Sequence, residues 1–215
     1  MKHTHCIRWA LSLILAVTVV AGLFVGLTLT ASAADADVVW EDGKVIAENM
    51  TLGGDSYTVE NPLTVQVKGT VTLSVSITIQ GFVKLVGADS SACLKMTGFS
   101  DGIANKCFAT DGKDTVKDSL TLEGLTFDGA GCTQSSVIYF KEGDLTMKNV
   151  TVKNLSLSSG QSFAYVQTGY SDTKNAGKQA VHIIDGYTFE SNAPVLRTST
   201  MTRFFGDMTL TSNSA

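Results

Sequence analysis

Two copies of one short pattern decide how this chain folds: SLTLEGLTFDG at residues 119–129 and DLTMKNVTVKN at residues 144–154. Each copy alternates apolar and polar residues, is interrupted by Gly or Asn, and then alternates again. Because successive side chains of a strand point to opposite faces, the apolar residues should share one buried face and the Thr residues should point outward. The residues predicted to be buried are Leu120, Leu122, Leu125 and Phe127 in the first copy and Leu145, Met147, Val150 and Val152 in the second.

The interruption in each copy predicts a bend between two strands. Gly124 and Asn149 stand at this place, and a third, partial copy, DGYTFES at residues 185–191, has Gly186 there. Gly and Asn are the residues that most readily adopt a positive φ. A unit of strand, bend and strand cannot bury its inner face alone, so the copies should stack on one another.

The composition is that of an ordered, β-rich domain. The 215 residues include 20 Gly and only 2 Pro, 44% are hydrophobic, 17% are charged, and the formal net charge is -4. Low charge with moderate hydrophobicity argues against disorder. The acidic balance argues against nucleic acid as a partner.

Residues 1–33 are predicted to be an export signal. Basic residues precede an apolar run over residues 10–30, and the small residues at 31–33 suit a signal peptidase. Cleavage is expected between Ala33 and Ala34. The apolar run is also near the roughly 20 residues that span a bilayer. An uncleaved signal anchor, which would attach the protein to a membrane through this segment alone, is therefore an open alternative.

Residues 34–215 divide into two parts that differ in how regularly apolar and polar residues alternate. Residues 34–62 alternate weakly between dense turn signals, which predicts an N-terminal cap of irregular strands over the first sheet edge. Residues 63–215 alternate strongly and repeatedly, which predicts stacked rungs. The stretch at residues 206–210 resembles residues 143–147 and stops in mid-repeat. An uncovered edge that favours self-association is therefore expected at the C-terminal end.

The two clear copies resemble the rungs of right-handed parallel β-helix proteins of the pectin-lyase-like superfamily, of bacterial surface or secreted type. The copies are offset by 25 residues, from Leu120 to Leu145, and rungs of roughly 20 to 30 residues fall in the range of solenoid repeats. The resemblance covers the chain from about residue 63 onward and implies a right-handed parallel β-helix. A β-sandwich is the competing fold, since alternating strands and turn signals serve it equally well, although it needs no bend residue at a fixed phase.

The resemblance also implies what a catalytic site would contain. Members that cleave pectate use grouped acids to hold Ca²⁺ and a basic residue to abstract a proton, and the hydrolases use grouped carboxylates. The candidate acids are Asp128, Asp144 and Asp185, and the candidate bases are Lys148, Lys153, Arg197 and Arg203. Asp before Gly is also a common turn former, and Lys on an outward strand position is usually solvated. No catalytic residue is therefore predicted.

No metal or cofactor site is predicted. The loop with Asp111, Asp114 and Asp118 matches no calcium-binding pattern, which favours a solvated acidic loop. His182 is the only His outside the N-terminal segment, and this excludes a site that needs two imidazoles.

The cysteines leave two alternatives open. Export would permit a disulfide between Cys93 and Cys107, which would close the loop between them. Cys132 makes the count odd, and a small apolar Cys is also a common interior residue of β folds.

Two functions from different classes remain. The first is a secreted or cell-surface, non-catalytic β-helix, adhesin-like, that contacts a glycan, matrix or host surface. The second is a polysaccharide lyase or glycoside hydrolase on the same scaffold. A groove lined by converging acids and a base would favour the enzyme, and scattered Thr, Ser and Lys on the outer face would favour the first. Arg is scarce and His is nearly absent, which favours the non-catalytic surface protein over the enzyme.

Overall fold

The structure is a computed structural model. It describes residues 36–99, 106–110, 118–130, 133–134, 136–140, 143–157, 161–166, 181–191, 195–198 and 201–212. All of these belong to one compact unit, Ala36–Ala215. The predicted signal at residues 1–33, with its cleavage site at Ala33 and Ala34, lies outside the described residues. Within the described ranges no helix is long and apolar enough to span a bilayer.

The described residues form strands and no helix. In chain order the strands are β1 (Val38–Trp40), β2 (Val45–Ile46), β3 (Met50–Gly53), β4 (Leu63–Val67), β5 (Thr70–Leu73), β6 (Ile77–Gln80), β7 (Phe82–Gly87), β8 (Cys93–Met96), β9 (Phe108–Thr110), β10 (Ser119–Glu123), β11 (Thr126–Asp128), β12 (Thr133–Gln134), β13 (Ile138–Phe140), β14 (Asp144–Leu157), β15 (Ala164–Val166), β16 (Val181–Ser191), β17 (Leu196–Thr198) and β18 (Met201–Ser212).

Every pairing between these strands is parallel. One sheet has twelve strands, nine of them in the order β1-β4-β7-β10-β14-β11-β8-β5-β2 and the other three, β12, β16 and β18, off this path. The order doubles back at β14 because the first half of this long strand pairs with β10 and its second half pairs with β11. The other sheet has six strands in the order β17-β15-β13-β9-β6-β3. Successive turns of the chain therefore extend three stacks of strands, namely the two halves of the twelve-stranded sheet and the six-stranded sheet, an arrangement compatible with a parallel β-solenoid. A β-sandwich of antiparallel sheets does not account for this pairing.

The core lies between the stacks and is built from columns of inward side chains. One column runs through Val65, Leu85, Leu122, Met147 and Ile184, each paired in register with the next. All eight apolar residues predicted to be buried in the two sequence copies are buried. Phe127 contacts Phe108 and Phe163 edge to face, with ring centroids 6.3 and 5.2 Å apart. Such aromatic contacts add specific geometry to the area that the rings bury.

The bends lie in register from turn to turn. Gly124, Asn149 and Gly186 have φ of 62°, 50° and 63°, and Gly206 continues the series at 67°. The residues immediately before the first three bends, Glu123, Lys148 and Asp185, are cross-strand neighbours. A positive φ lets the chain turn a corner between two strand segments while both segments keep their pairing.

The stretch at residues 38–53 is itself a turn of the solenoid. Its three short strands, β1, β2 and β3, pair in parallel with β4, β5 and β6. They add one strand to each stack, so the sheet pairing shows no break at residue 62. The predicted cap of irregular strands at residues 34–62 thus contains short strands, and that it covers the first sheet edge stays a prediction.

Candidate functional site

A polar cleft lies over the bends of β14, β16 and β18. We call it the corner cleft; its volume is about 320 Å³ and it is lined by Asn149, Val150, Thr151, Asp185, Gly186, Tyr187, Thr188, Gly206 and Asp207. Thr188, Gly206 and Asp207 are exposed, so the cleft opens to solvent. Ligand pockets of proteins commonly begin at about 300 Å³. The cleft is therefore large enough to hold a small ligand.

Glycines give the corner cleft its shape. A Cβ atom on Gly186 would lie 2.6 Å from the Asn149 Oδ1 atom, and a Cβ atom on Gly206 would lie 2.7 Å from the Asp185 Oδ1 atom. Each polar side chain thus lies against the glycine of the following turn. A residue with a side chain at either glycine would displace that oxygen, and it would also be strained at positive φ.

The corner cleft is acidic. Asp185 and Asp207 both line it, and its lining includes no Lys or Arg among the described residues. Lys148 is the cross-strand neighbour of Asp185 on β14, outside the lining. Tyr187 is buried beneath the cleft, and burial raises its pKa to about 12. Its phenol is therefore uncharged at neutral pH, and the charged groups of the described lining are the two carboxylates.

Asp128, one of the candidate catalytic acids, lies outside the corner cleft, and its carboxylate accepts hydrogen bonds from neighbouring residues. Its Oδ1 atom accepts hydrogen bonds from the backbone N–H of Ala130 at 2.9 Å and from Asn154 Nδ2 at 3.1 Å. The predicted base Lys153 lies 3.9 Å from its Oδ2 atom. These contacts close the turn after β11 and tie it to β14, which is a structural role.

The three candidate acids do not converge. Asp144 begins β14, four positions before Lys148, which pairs with Asp185. At about 3.3 Å per residue, this places Asp144 and Asp185 about 13 Å apart along the strand direction. Asp128 pairs with Lys153, on the far side of the bend. The paired carboxylates of a glycosidase must instead lie within about 5 to 9.5 Å of each other.

The remaining candidates are spread over the fold. Arg203 is an exposed residue of β18, and Arg197 lies on β17 in the other sheet. His182 lies on β16. Within the described part of the chain, no group of three or more His, Cys, Asp or Glu side chains could hold a metal ion.

The acidic loop falls mostly outside the described residues, which include neither Asp111 nor Asp114. Asp118 is described and buried, and its Oδ1 atom accepts a hydrogen bond from the backbone N–H of Gly81 at 2.8 Å. This carboxylate therefore joins two turns of the solenoid rather than facing water, as a solvated loop would require.

The suggested disulfide between Cys93 and Cys107 is not formed in the structure. Cys93 is half-buried and precedes the buried Leu94 on β8, so its side chain is on the outer face, whereas Cys107 is buried in the core. Burial first, and the nearby Asp128 carboxylate second, raise the pKa of the Cys93 thiol. A thiol with a raised pKa is a poor nucleophile at neutral pH.

The outer face of the six-stranded sheet carries a pair of aromatic residues that sequence reasoning missed. Tyr139 and Tyr165 are cross-strand neighbours, with ring centroids 5.4 Å apart. The buried Lys106 places its Nζ atom 5.6 Å from the Tyr139 ring centroid. Their signal in the sequence is the matching pattern of Ile-Tyr-Phe at 138–140 and Ala-Tyr-Val at 164–166, whose offset is close to that between the two clear copies.

Comparison of the chain with protein-family models, with curated proteins and with solved structures gave no match.

Proposed function

We propose that this protein is a secreted or cell-surface, non-catalytic right-handed parallel β-helix of the pectin-lyase-like type. It acts in an adhesin-like way, contacting glycans, matrix or a host surface through its outer faces. The observation that carries the proposal is that the described candidate acids lie at separate places on the fold, with Asp128 engaged in holding a turn.

The fold supports the β-helix assignment. Parallel strands stack into two sheets, and bends with positive φ recur in register at Gly or Asn. These are the features on which the resemblance to pectin-lyase-like rungs rests. Such scaffolds hold their outer faces rigidly, because each strand is fixed by hydrogen bonds to the turns before and after it.

Several carboxylates accept hydrogen bonds from backbone N–H groups, and this supports the non-catalytic assignment. Asp37 and Asp42 accept hydrogen bonds from the backbone N–H groups of Thr64 and Thr70 at 2.7 and 2.6 Å. Asp89 accepts one from the backbone N–H of Ser91 at 2.7 Å. Acids in these positions close turns or join neighbouring turns of the solenoid, so these carboxylates serve the fold rather than proton transfer.

A row of threonines supports a contact surface. Thr126, Thr151, Thr188 and Thr209 are successive cross-strand neighbours on four turns. Strands in a sheet are about 4.8 Å apart, so this row offers short hydroxyl groups at a regular spacing. Each hydroxyl can donate and accept a hydrogen bond, which suits a ligand rich in hydroxyl groups.

Two measurements test the proposal. Sequencing the N-terminus of the protein recovered from the producing cells should give a chain that begins at Ala34, found in the medium or on the cell surface. The same material should bind immobilised glycans or matrix components. A full-length chain retained in the cytoplasm, or no binding to any surface tested, would contradict it.

The enzyme alternative has one observation in its favour, since the corner cleft contains two carboxylates and a lysine lies beside one of them. We expect no release of unsaturated or reducing sugar ends from plant or host polysaccharides. Release that is abolished by Asp185→Asn or Asp128→Asn would replace the proposed function with a lyase or hydrolase.

A further inference from the structure

We infer that the corner cleft is a binding subsite for one uncharged sugar residue that presents adjacent hydroxyl groups. The inference rests on the proposed glycan contact and assigns it to particular residues. It also states a preference: neutral saccharides should bind and acidic ones should not.

The size of the cleft suits a single sugar residue. Its volume of about 320 Å³ is at the low end of the roughly 300 to 1,000 Å³ usual for small-molecule pockets. It spans three turns of the solenoid, from Asn149 through Gly186 to Gly206, and is open on its outer side. One residue of a longer glycan can therefore enter while the rest of the glycan continues along the outer face.

The lining offers the hydrogen-bonding groups that a sugar needs. The carboxylates of Asp185 and Asp207 can each accept hydrogen bonds from two neighbouring hydroxyl groups. Thr151 and Thr188 supply hydroxyls that donate as well as accept, and the Asn149 amide does the same. Hydrogen bonds to a charged acceptor are stronger than those between neutral groups, so the two carboxylates should contribute most of the affinity.

The charge of the cleft decides which saccharides fit. Two carboxylates line the cleft and one lysine, Lys148, lies beside it, so the net charge of these three groups is negative and disfavours a sugar that carries its own carboxylate or sulfate. Polymers of uronic acids should therefore bind weakly, because each of their residues carries a carboxylate.

Binding should be measured with the purified mature protein on a panel of immobilised neutral oligosaccharides, namely glucans, mannans and galactans, with oligogalacturonate as the acidic comparison. We expect at least one neutral oligosaccharide to bind. Asp185→Ala and Asp207→Ala should each weaken that binding at least about tenfold, which corresponds to losing one strong polar contact. Glu48→Ala, which removes an exposed acid from the first turn, should leave it unchanged.

A pair of glycine variants tests the geometry without removing a charge. Gly124 and Gly206 have nearly the same φ, 62° and 67°, so the strain from a positive φ is similar for alanine at both, although a Cβ atom on Gly206 would also lie 2.9 Å from the backbone N of Gly186. A Cβ atom on Gly124 meets no atom within 4 Å, whereas one on Gly206 lies 2.7 Å from Asp185 Oδ1. Gly206→Ala should therefore weaken saccharide binding and Gly124→Ala should not. If Gly206→Ala does not fold, the two Asp variants alone decide.

The outcomes separate the inference from the proposed function. Saccharide binding that is unchanged in both Asp variants would overturn the cleft assignment and leave the glycan contact standing. Tighter binding of oligogalacturonate than of every neutral oligosaccharide would also overturn it. Failure to bind any saccharide would overturn the inference and the glycan contact together.

Discussion

The two ends of the described solenoid differ in how well their core residues are covered. Trp40, in the first turn, is 1% exposed, and Ile46 and Leu52 of the same turn are also buried. Met208, in the last turn, pairs with the buried Tyr187 and yet is 46% exposed. An inward position is therefore not enough to bury a side chain, because in a solenoid each turn completes the core of its neighbour.

Side chains also join the first turn to the second. Asp37 and Asp42 accept hydrogen bonds from backbone N–H groups of the second turn. The Nζ atom of Lys68 lies 3.2 Å from Glu41, and Gln80 donates a hydrogen bond to Asp55 at 3.1 Å. The beginning of the solenoid is thus held by contacts beyond the sheet ladder, while Met208 marks an open end of the core.

The largest expected difference between the two ends is in the cost of truncating a core side chain. Trp40→Ala should lower the free energy of unfolding by about 3 to 5 kcal/mol, because it leaves a large cavity in a covered part of the core. Met208→Ala should cost about 1 kcal/mol or less, because the side chain is half in water already. Chemical denaturation of both variants measures the two costs. Equal losses would show that the two ends are equally covered.

The strong repeats allowed the inward faces and the bends to be proposed from sequence, because alternation and positive-φ residues are local signals. For residues 34–62 the sequence predicted strands but not their register, since β2 has only two residues and shows no alternation from which a pairing could be inferred. The corner cleft could not be predicted either. Asn149, Asp185 and Asp207 come together because β14, β16 and β18 pair in one register although the numbers of residues between them differ.

The second prediction concerns Tyr187, whose burial next to the last turn should make stability depend on pH. Burial raises the pKa of Tyr187 to about 12 from an ordinary value of 10.0, so the folded state favours the protonated phenol. Its contribution to stability is therefore complete below about pH 10 and is lost as pH rises from about 10 to about 12. The difference between the two pKa values sets an upper limit of about 3 kcal/mol on this loss.

The measurement is urea unfolding at several pH values between 9 and 12, with Tyr187→Phe as the matched variant. The variant should lose less stability than the unmutated protein over this interval, because it has no phenol to ionise. Parallel curves would mean that Tyr187 titrates alike in both states, and hence that the core is already open at β16.

A third prediction concerns the contacts that hold the first turn. The carboxylate of Asp42 accepts a hydrogen bond from the backbone N–H of Thr70 and lies against Gly69, which has φ of 57°. Asp42→Ala should lower the free energy of unfolding by about 1 kcal/mol, since the site is exposed and water can replace part of the lost bond. Asp42→Asn keeps an acceptor and should cost less. An alanine variant as stable as the unmutated protein would show that this hydrogen bond adds nothing to what the sheet ladder and the other contacts of the first turn provide.

The smallest expected effect is local and concerns the backbone of β18. This strand pairs with β16 on one side, and no described strand lies on its other side, whereas β10 pairs with both β7 and β14. Backbone N–H groups on an unpaired edge are free to exchange with water, and unpaired edges also recruit other strands. Amide hydrogen exchange at low protein concentration should therefore be faster at Met208 to Leu210 than at Leu120 to Leu122. Protection at residues 208–210 that rises with protein concentration would indicate that a second copy of the chain pairs with this edge. Protection equal to that of β10 in a monodisperse monomer would mean instead that the edge is covered within one chain, and the contrast between the two ends would then be confined to the side chain of Met208.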